Sequence, residues 1–153
     1  MNMLYVTYCS GKKDKKEESI PAIESYNSDR IRWVYNLSIR ANVKFAILSG
    51  VLGLVYPDEK IPYYNHKMNK DDVERIAKLI KWFLRDRNYE KIVYFTENPH
   101  GEPVLRNYHK SLKKATQELG IELKLRMIQK ISYEEIKVDD PERLFEDDNS
   151  EDC

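Results

Sequence analysis

The chain has few of the residues that define several common protein classes. Its 153 residues include two cysteines, Cys9 and Cys153, which lie at opposite ends of the sequence and argue against a structural disulfide. No apolar run approaches the length of a membrane span, and no basic-then-apolar leader precedes the first predicted strand. The CxxC pairs of zinc sites and the Gly-x-x-x-x-Gly-Lys-Ser/Thr spacing of a P-loop are also absent. We therefore expect a cytoplasmic protein with no membrane partner and no cofactor.

Ionisable residues are abundant and unevenly distributed. The net charge is zero, but residues 139–152 hold eight acidic residues and one arginine, so this segment carries −7 and the remainder +7. We interpret residues 1–138 as one α/β domain and residues 139–153 as an acidic, flexible tail. A cationic body suits an anionic partner, nucleic acid or a nucleotide, although an ordinary solubilising tail accounts for the same pattern. Heavy use of Lys, Glu and Arg also suits a bacterial or archaeal thermophile.

Hydrophobic periodicity predicts alternating strands and helices. Apolar runs predict strands at 3–8, 44–48, 91–95 and 121–128, and 3.6-residue periods predict helices over 28–41, after 69 and from 103 to 119. Strands alternating with helices of this length indicate an α/β fold, here a three-layer α/β/α arrangement with a mostly parallel four-stranded sheet. With the strands numbered along the chain, right-handed crossovers favour the spatial order 2-1-3-4.

Three loops follow the carboxyl ends of the first three predicted strands, where open α/β sheets bind ligands. The first begins at Cys9, the second spans 49–66 and the third spans 96–101. If the strands are parallel neighbours, these loops meet at one edge of the sheet. We predict that the binding residues come from the first two loops and from the entry to the first helix: Cys9, Ser10, Lys13, Tyr26, Ser28, Ser49, Gly50, Gly53 and Tyr63.

These residue types have complementary chemistry. Small residues and lysines in the first loop present backbone N–H and ammonium groups to an anion. Ser28 opens a helix whose N-terminus could bind an anion, with Arg30 or Arg32 adding a contact to phosphate or carboxylate. Glycines of the second loop allow close backbone approach, and its tyrosines offer faces on which a base stacks. His66 and Glu97 are the predicted catalytic acid–base residues.

Several of these residues also have a purely structural interpretation, and the sequence does not decide between the functional and the structural one. Ser28 is a natural helix N-cap, Cys9 a small buried residue at a strand end, His66 an exposed loop residue and the segment after Glu97 a turn. The last helix has a basic flank that is either a solvated face or a surface that tracks phosphates. It comprises Arg106, His109, Lys110, Lys113 and Lys114.

Some of these residues follow an ordered pattern along about the first 65 positions of the chain. The pattern reads Cys-Ser-x-x-Lys, then Tyr-x-Ser, then Ile-Leu-Ser-Ala-x-x-Gly-Leu-x-x-Pro-Asp-x-x-Ile-x-Pro-Tyr. The matching residues are Cys9, Ser10, Lys13, Tyr26, Ser28, Ile47, Leu48, Ser49, Gly53, Leu54, Pro57, Asp58, Pro62 and Tyr63. In this respect the chain resembles an uncharacterised bacterial and archaeal domain family.

The Ser-Gly-x-x-Gly-x-x-x-Pro-x-x-x-Ile-Pro-Tyr portion is also similar to the YaaA family of peroxide-stress proteins, which is linked to DNA protection. Related-looking domains occur beside enzymes that make deazaguanine modifications in tRNA and DNA, and some resemble the uracil-DNA glycosylase fold. The resemblance implies a site location and a link to nucleic acid, with no assigned reaction. The chain departs from the pattern at Val51, Leu52 and Tyr64. If those positions perform the reaction in the family, we expect this chain to bind the ligand without catalysing a reaction.

These observations predict a pocket at the sheet edge for a nucleobase, nucleotide or nucleic acid, in an enzyme of nucleic-acid modification or repair. One alternative is a non-catalytic nucleic-acid-binding module whose acidic tail competes for the basic surface. Another is a stress-response protein that uses redox chemistry of Cys9.

Overall fold

The computed structural model describes residues 2–10, 19–26, 28–64 and 66–128, together with the backbone of residues 145–148. The strands are β1 (Met3–Tyr8), β2 (Ile20–Pro21), β3 (Lys44–Ser49), β4 (Gly53–Val55), β5 (Lys60–Ile61), β6 (Lys91–Thr96), β7 (Glu122–Ile128) and β8 (Phe145–Asp148). The helices are α1 (Ala22–Ser25), α2 (Asp29–Ala41), α3 (Val73–Leu84) and α4 (Pro103–Leu119), with a 3-10 turn at Lys70–Asp72. Lys13 and most of the predicted tail lie outside the described residues.

One mixed sheet forms the centre of the fold. Its strands lie in the spatial order β4-β3-β1-β6-β7-β8, and β2 and β5 form a separate antiparallel ribbon. β1 pairs in parallel with β3 and with β6, and β6 pairs in parallel with β7. β4 and β8 run antiparallel to their neighbours. The α/β class with a mostly parallel sheet is therefore confirmed.

The predicted sheet of four strands in the order 2-1-3-4 does not match the full sheet, because antiparallel strands extend the sheet beyond the parallel ones. The four predicted strands themselves lie side by side as β3-β1-β6-β7. β4 forms where the chain turns back after β3, so that Gly53, with a φ of +80°, pairs opposite Ser49. The sequence predicts a loop for this segment, since three residues among glycines and prolines show no periodicity. β8 pairs with β7 and comes from the segment that was assigned to the tail.

Helices cover both faces of the sheet. Val6 and Tyr94 are register partners in β1 and β6, so their side chains share a face. The Tyr94 ring stacks on His109 of α4, whereas the next residue of β1, Thr7, accepts a hydrogen bond from Arg30 of α2. Because successive side chains of a strand alternate between faces, α2 and α4 lie on opposite faces. α3 packs beside α4 and against β4.

Burial explains why these segments fold as they do. β3 is buried at every residue after Lys44, as expected for a strand with helices on both sides. α3 buries one stripe at helical spacing, namely Ile76, Ala77, Ile80, Phe83 and Leu84. None of the helices in the described ranges has the length and apolar character that a bilayer crossing requires.

Candidate functional site

The ends of β1, β3 and β6 meet at one edge of the sheet. The backbone N–H of Cys9 donates to the carbonyl of Leu48 at 2.8 Å, which joins the chain just after β1 to the end of β3. On the other side of β1, Thr7 is the register partner of Phe95. The residues that follow these three strands therefore lie close together, at what we call the carboxyl edge. β3 and β6 lie on opposite sides of β1, so the order of the strands reverses its direction at β1. This makes the carboxyl edge a topological switch point.

Arg30 is a buried cation at the carboxyl edge. It belongs to the first turn of α2 and its side chain is 8% exposed. The guanidinium donates to the Thr7 hydroxyl at 2.6 Å, to the Tyr8 carbonyl at 2.7 Å and to the Cys9 carbonyl at 3.4 Å. These three acceptors are neutral, and no carboxylate of the described residues forms an ion pair with Arg30. A guanidinium has five N–H groups, so donors remain for another acceptor.

The Tyr8 ring is held between two other side chains. The Cζ atom of Arg30 lies 3.5 Å from the centroid of the Tyr8 ring. The Tyr108 ring stacks on Tyr8 with centroids 5.8 Å apart and an interplanar angle of 24°. Both flanking groups are buried, whereas Tyr8 is half-buried. Tyr8 therefore links the α2 side of the edge to the α4 side, and Arg30 and Tyr108 occupy the space over its ring.

Cys9 is the centre of a cluster of tyrosines. Its Sγ atom lies 3.0 Å from the Tyr108 hydroxyl, a contact between residues 99 positions apart. Gly50 approaches the same hydroxyl, because a Cβ atom at that position would lie 3.3 Å from it and 2.9 Å from Met68 Cβ. The absence of a side chain at Gly50 thus allows Tyr108 to reach Cys9.

Ser49 anchors a second chain of hydroxyl groups. Its Oγ atom accepts hydrogen bonds from the backbone N–H groups of Val51 at 3.1 Å and Leu52 at 3.0 Å. The same oxygen lies 2.7 Å from the Tyr64 hydroxyl, which in turn hydrogen-bonds the Tyr26 hydroxyl. Because Ser49 already accepts two bonds, its own hydrogen is the one that joins it to Tyr64. Ser49 therefore shapes the turn into β4 and orients Tyr64.

The tyrosines of the edge are neutral phenols. Burial raises the pKa of each of Tyr8, Tyr26, Tyr64, Tyr94 and Tyr108. For Tyr26, Tyr64 and Tyr108, the neighbouring Cys9 raises the pKa further. All five hydroxyls stay protonated near neutral pH and can donate hydrogen bonds. Together with the guanidinium of Arg30, they make the edge rich in hydrogen-bond donors.

The other predicted binding residues have varied positions. Ser28 is the N-cap of α2, where its Oγ atom accepts from the Ile31 N–H at 3.2 Å. Gly53 turns towards α3, since a Cβ atom there would lie 2.8 Å from Leu79 Cβ. Ser10 follows Cys9 at the edge and is half-buried, and Tyr63 is 39% exposed.

His66 lies at the start of α3. Its Nε2 atom is 2.8 Å from the carboxylate of Asp72, and its side chain is exposed. The same carboxylate accepts from the Asn69 backbone N–H at 2.9 Å and from Arg75 at 3.3 Å. None of the contacts of His66 among the described residues joins it to Cys9. The structure therefore places His66 beside the capping box that Asn69 and Asp72 form at the 3-10 turn before α3.

Glu97, the other predicted catalytic residue, lies at the carboxyl edge. It follows β6 directly and is half-buried. Burial raises the pKa of Tyr8, Arg30 lowers it, and Glu97 adds a smaller rise, so Glu97 is in electrostatic range of Tyr8. The residues after Glu97 form a turn in which Asn98 accepts from the N–H groups of His100 and Gly101, each at 3.0 Å. His66 and Glu97 are thus not brought into contact.

Loss of the Asp72 carboxylate is expected to destabilise the protein in a pH-dependent way. The Asn69 N–H bond, followed by contacts with His66 and Arg75, holds the pKa of Asp72 below its usual value. The carboxylate therefore stabilises the fold above about pH 4, and this contribution is lost as the pH falls through the lowered pKa. Asp72→Ala should reduce the free energy of unfolding by about 1 kcal/mol at pH 7 and by little at pH 2.5.

Urea unfolding at both pH values measures this difference. Asp71→Ala is the matched control, because Asp71 occupies the same turn and its side chain makes no hydrogen bond among the described residues. Equal losses in the two variants, or a loss from Asp72→Ala that persists at pH 2.5, would contradict the assignment.

Neither a metal centre nor the predicted basic flank is supported by the described part of the chain. No group of three or more His, Cys, Asp or Glu side chains within it could hold a metal ion. On α4, His109 is 3% exposed and stacks on Tyr94, and Lys114 pairs with Glu74 at 2.5 Å. Arg106 and Lys110 remain exposed. The flank is therefore smaller than the sequence indicated, because one of its members faces the core.

Sequence reasoning missed most of the edge. Tyr8, Tyr94 and Tyr108 are not predicted, because at helical or strand spacing a tyrosine is indistinguishable from a core residue. Tyr64 is predicted only as one of the tyrosines of the second loop that could stack on a base. Tyrosine nevertheless outnumbers phenylalanine 11 to 4 in the sequence. That excess is the signal that could have found them, since a buried phenol needs a polar partner where phenylalanine needs none.

Comparison of the chain with protein-family models, with curated proteins and with solved structures finds no match. The resemblance to the YaaA-like and deazaguanine-associated domains therefore stays a prediction from the residues quoted for it.

Proposed function

We propose that the protein binds an anionic ligand of the nucleotide class at the carboxyl edge. The observation that carries the proposal is the buried guanidinium of Arg30, which has only neutral partners among the described residues. A buried charge is stable when it is paired and hydrogen-bonded, so an anion beside Arg30 would complete its environment.

The location and chemistry of the edge support a phosphate-bearing ligand. Ligands of open α/β sheets bind outside the carboxyl ends of the strands at a switch point, which is where Arg30 lies. The phenols of the edge are protonated, and a protonated phenol can donate a hydrogen bond to an oxygen of a phosphate or sugar. Tyr63, whose ring is 39% exposed beside Tyr64, is the residue that we propose for stacking on a base.

An acid–base role on the bound ligand falls to Glu97 in this proposal. Glu97 lies at the carboxyl edge, whereas His66 is engaged with Asp72 at the start of α3. A half-buried carboxylate close to a ligand can accept or deliver a proton. The enzyme of nucleic-acid modification or repair that the sequence suggests would depend on this residue.

Direct titration tests the proposal. Isothermal titration calorimetry would compare the four ribonucleosides with their 5′-monophosphates. We expect each monophosphate to bind at least about 10-fold more tightly than its nucleoside, because the phosphate pairs with Arg30. Arg30→Lys keeps the charge but not the planar fork, and should weaken monophosphate binding about 10-fold.

Arg32→Lys is the matched control for this variant, since Arg32 lies in the same helix and pairs at the surface with Asp29 at 2.6 Å. It should bind as the wild type does. Equal affinity for nucleosides and monophosphates, or unchanged binding by Arg30→Lys, would refute the proposal.

The alternative of a non-catalytic module for polymeric nucleic acid has less support. It depends on the basic flank of α4, from which burial removes His109 and ion pairing with Glu74 removes Lys114. A steep loss of DNA or RNA affinity with salt, independent of Arg30, would favour this alternative.

A further inference from the structure

Tyr94 has a buried polar group without a partner. The side chain is fully buried, and its hydroxyl makes no hydrogen bond with any described residue. Its nearest polar neighbour along the strand, the Thr96 hydroxyl, donates instead to the Glu97 carbonyl at 2.8 Å. Buried side-chain hydroxyls are hydrogen-bonded in most proteins, so this group requires an explanation.

The Tyr94 hydroxyl lies among the groups of the carboxyl edge. Burial raises the pKa of Tyr94; beyond burial, Tyr8 raises it, Arg30 and the nearby Thr96 hydroxyl lower it, and Cys9 raises it. The Thr96 hydroxyl is therefore close to the Tyr94 hydroxyl, but the two do not meet the geometry of a hydrogen bond. Tyr8 is half-buried, so the hydroxyl is close to a side chain that reaches the surface of the edge. The ring itself is fixed from below by the stack on His109, with centroids 6.3 Å apart and an interplanar angle of 6°.

Packing alone does not account for a tyrosine at this position. Phenylalanine would fill the same ring volume and keep the stack on His109, and it would leave no donor without a partner. A phenol that costs stability at a ligand edge is typical of a recognition group, because its hydrogen bond forms only in the complex.

We propose that the Tyr94 hydroxyl donates a hydrogen bond to an oxygen atom of the anion bound at the carboxyl edge, an inference that rests on the proposed function. Arg30 then provides the charge from the α2 face and Tyr94 a neutral donor from the α4 face. The anion is bound between the ends of β1 and β6, and its innermost oxygen contacts Tyr94.

The test compares Tyr94→Phe with Tyr89→Phe in the full chain. The Tyr89 hydroxyl also belongs to a buried side chain, but it has a partner, the Tyr56 hydroxyl at 2.9 Å, and precedes β6 at the opposite end of that strand. Without ligand, Tyr94→Phe should raise Tm by about 2–4 °C, because it removes an unsatisfied donor. Tyr89→Phe should lower Tm, because it breaks a bond.

Binding is measured with inorganic phosphate and with a nucleoside 5′-monophosphate as probes. Tyr94→Phe should weaken both by roughly 10-fold to 100-fold, the range for a hydrogen bond to a charged group. Tyr89→Phe should bind both as the wild type does. The combination of higher Tm and weaker binding is not expected from a merely structural tyrosine.

Other outcomes separate the two proposals. If the monophosphate binds in an Arg30-dependent way and Tyr94→Phe binds it equally well, the inference about Tyr94 is wrong and the proposed function stands. If phosphate binding depends on Tyr94 but nucleotides bind no better than phosphate, the inference stands and the nucleotide class is wrong. If Tyr94→Phe lowers Tm and leaves binding unchanged, the hydroxyl has a structural partner and the inference is overturned. Binding of neither probe to the wild type overturns both.

Discussion

Replacement of Arg30 by glutamine is expected to lower the free energy of unfolding by about 2–4 kcal/mol. The guanidinium satisfies the Thr7 hydroxyl and the carbonyls of Tyr8 and Cys9, all at the end of one strand. Glutamine is shorter and cannot reach all three acceptors, so buried carbonyl groups lose their donors. The guanidinium also covers the Tyr8 ring at 3.5 Å, and that contact is lost as well.

Arg32→Gln is the control for this substitution. Arg32 lies in the same helix, but its side chain is 46% exposed and pairs with an exposed aspartate, Asp29. Exposed pairs of this kind contribute little, so the change should stay within about 0.5 kcal/mol. Urea denaturation of both variants at pH 7 measures the contrast. Similar small losses would mean that Arg30 does not hold the end of β1, and its burial would then need another cause.

The parts of the fold that the sequence predicts correctly are those with local periodicity. Strands β1, β3 and β6 and helices α2 and α4 were expected within a few residues of their observed bounds, because each has a run or stripe of apolar residues. Caps contributed to this agreement. Ser28 accepts from the Ile31 N–H, and Gly120 ends α4 with a φ of +68°.

The short strands could not be predicted because their pairing is not local. β4 has three residues and β5 has two, too few for a period to appear. Each exists because a neighbouring segment offers a ladder: β3 for β4, and β2 for β5. A sequence pattern records which face of a segment is buried and contains no information about a partner many residues away.

The same limit applies to the carboxyl edge: positions that follow from the order of the strands could be predicted, and contacts that depend on helix packing could not. Cys9 and Ser49 could be placed there, because both follow predicted parallel strands. Tyr108 could not, since it lies in the buried stripe of α4 and its contact with Cys9 depends on the packing of that helix. The sequence predicts Arg30 or Arg32 as an additional contact to phosphate or carboxylate, but it does not predict that Arg30 is buried, because an arginine is rarely buried without an anionic partner. The proposed function depends on Arg30 because Arg30 is buried with only neutral partners among the described residues.

Gly53→Ala is expected to have a comparably large effect on stability, about 2–5 kcal/mol. Two costs combine at this position. An L-residue at a φ of +80° pays about 1–2 kcal/mol, and a Cβ atom 2.8 Å from Leu79 Cβ forces β4 away from α3 at a cost of about 1–3 kcal/mol. Leu79 lies in a helix and its Cβ cannot rotate aside, so the backbone must move.

Gly120→Ala separates these two costs. Gly120 has a φ of +68°, and nothing lies within 4 Å of the position that its Cβ would take. It should therefore lose only the conformational part, about 1–2 kcal/mol. Guanidinium chloride denaturation of both variants gives the steric part as the difference.

Because Gly53 pairs opposite Ser49, the movement of β4 should also disturb the Ser49–Tyr64–Tyr26 chain and weaken phosphate binding, an effect that Gly120→Ala should not have. Equal losses of stability in the two variants would show that β4 does not depend on close contact with α3, and that the turn after Ser49 is held by its hydrogen bonds alone.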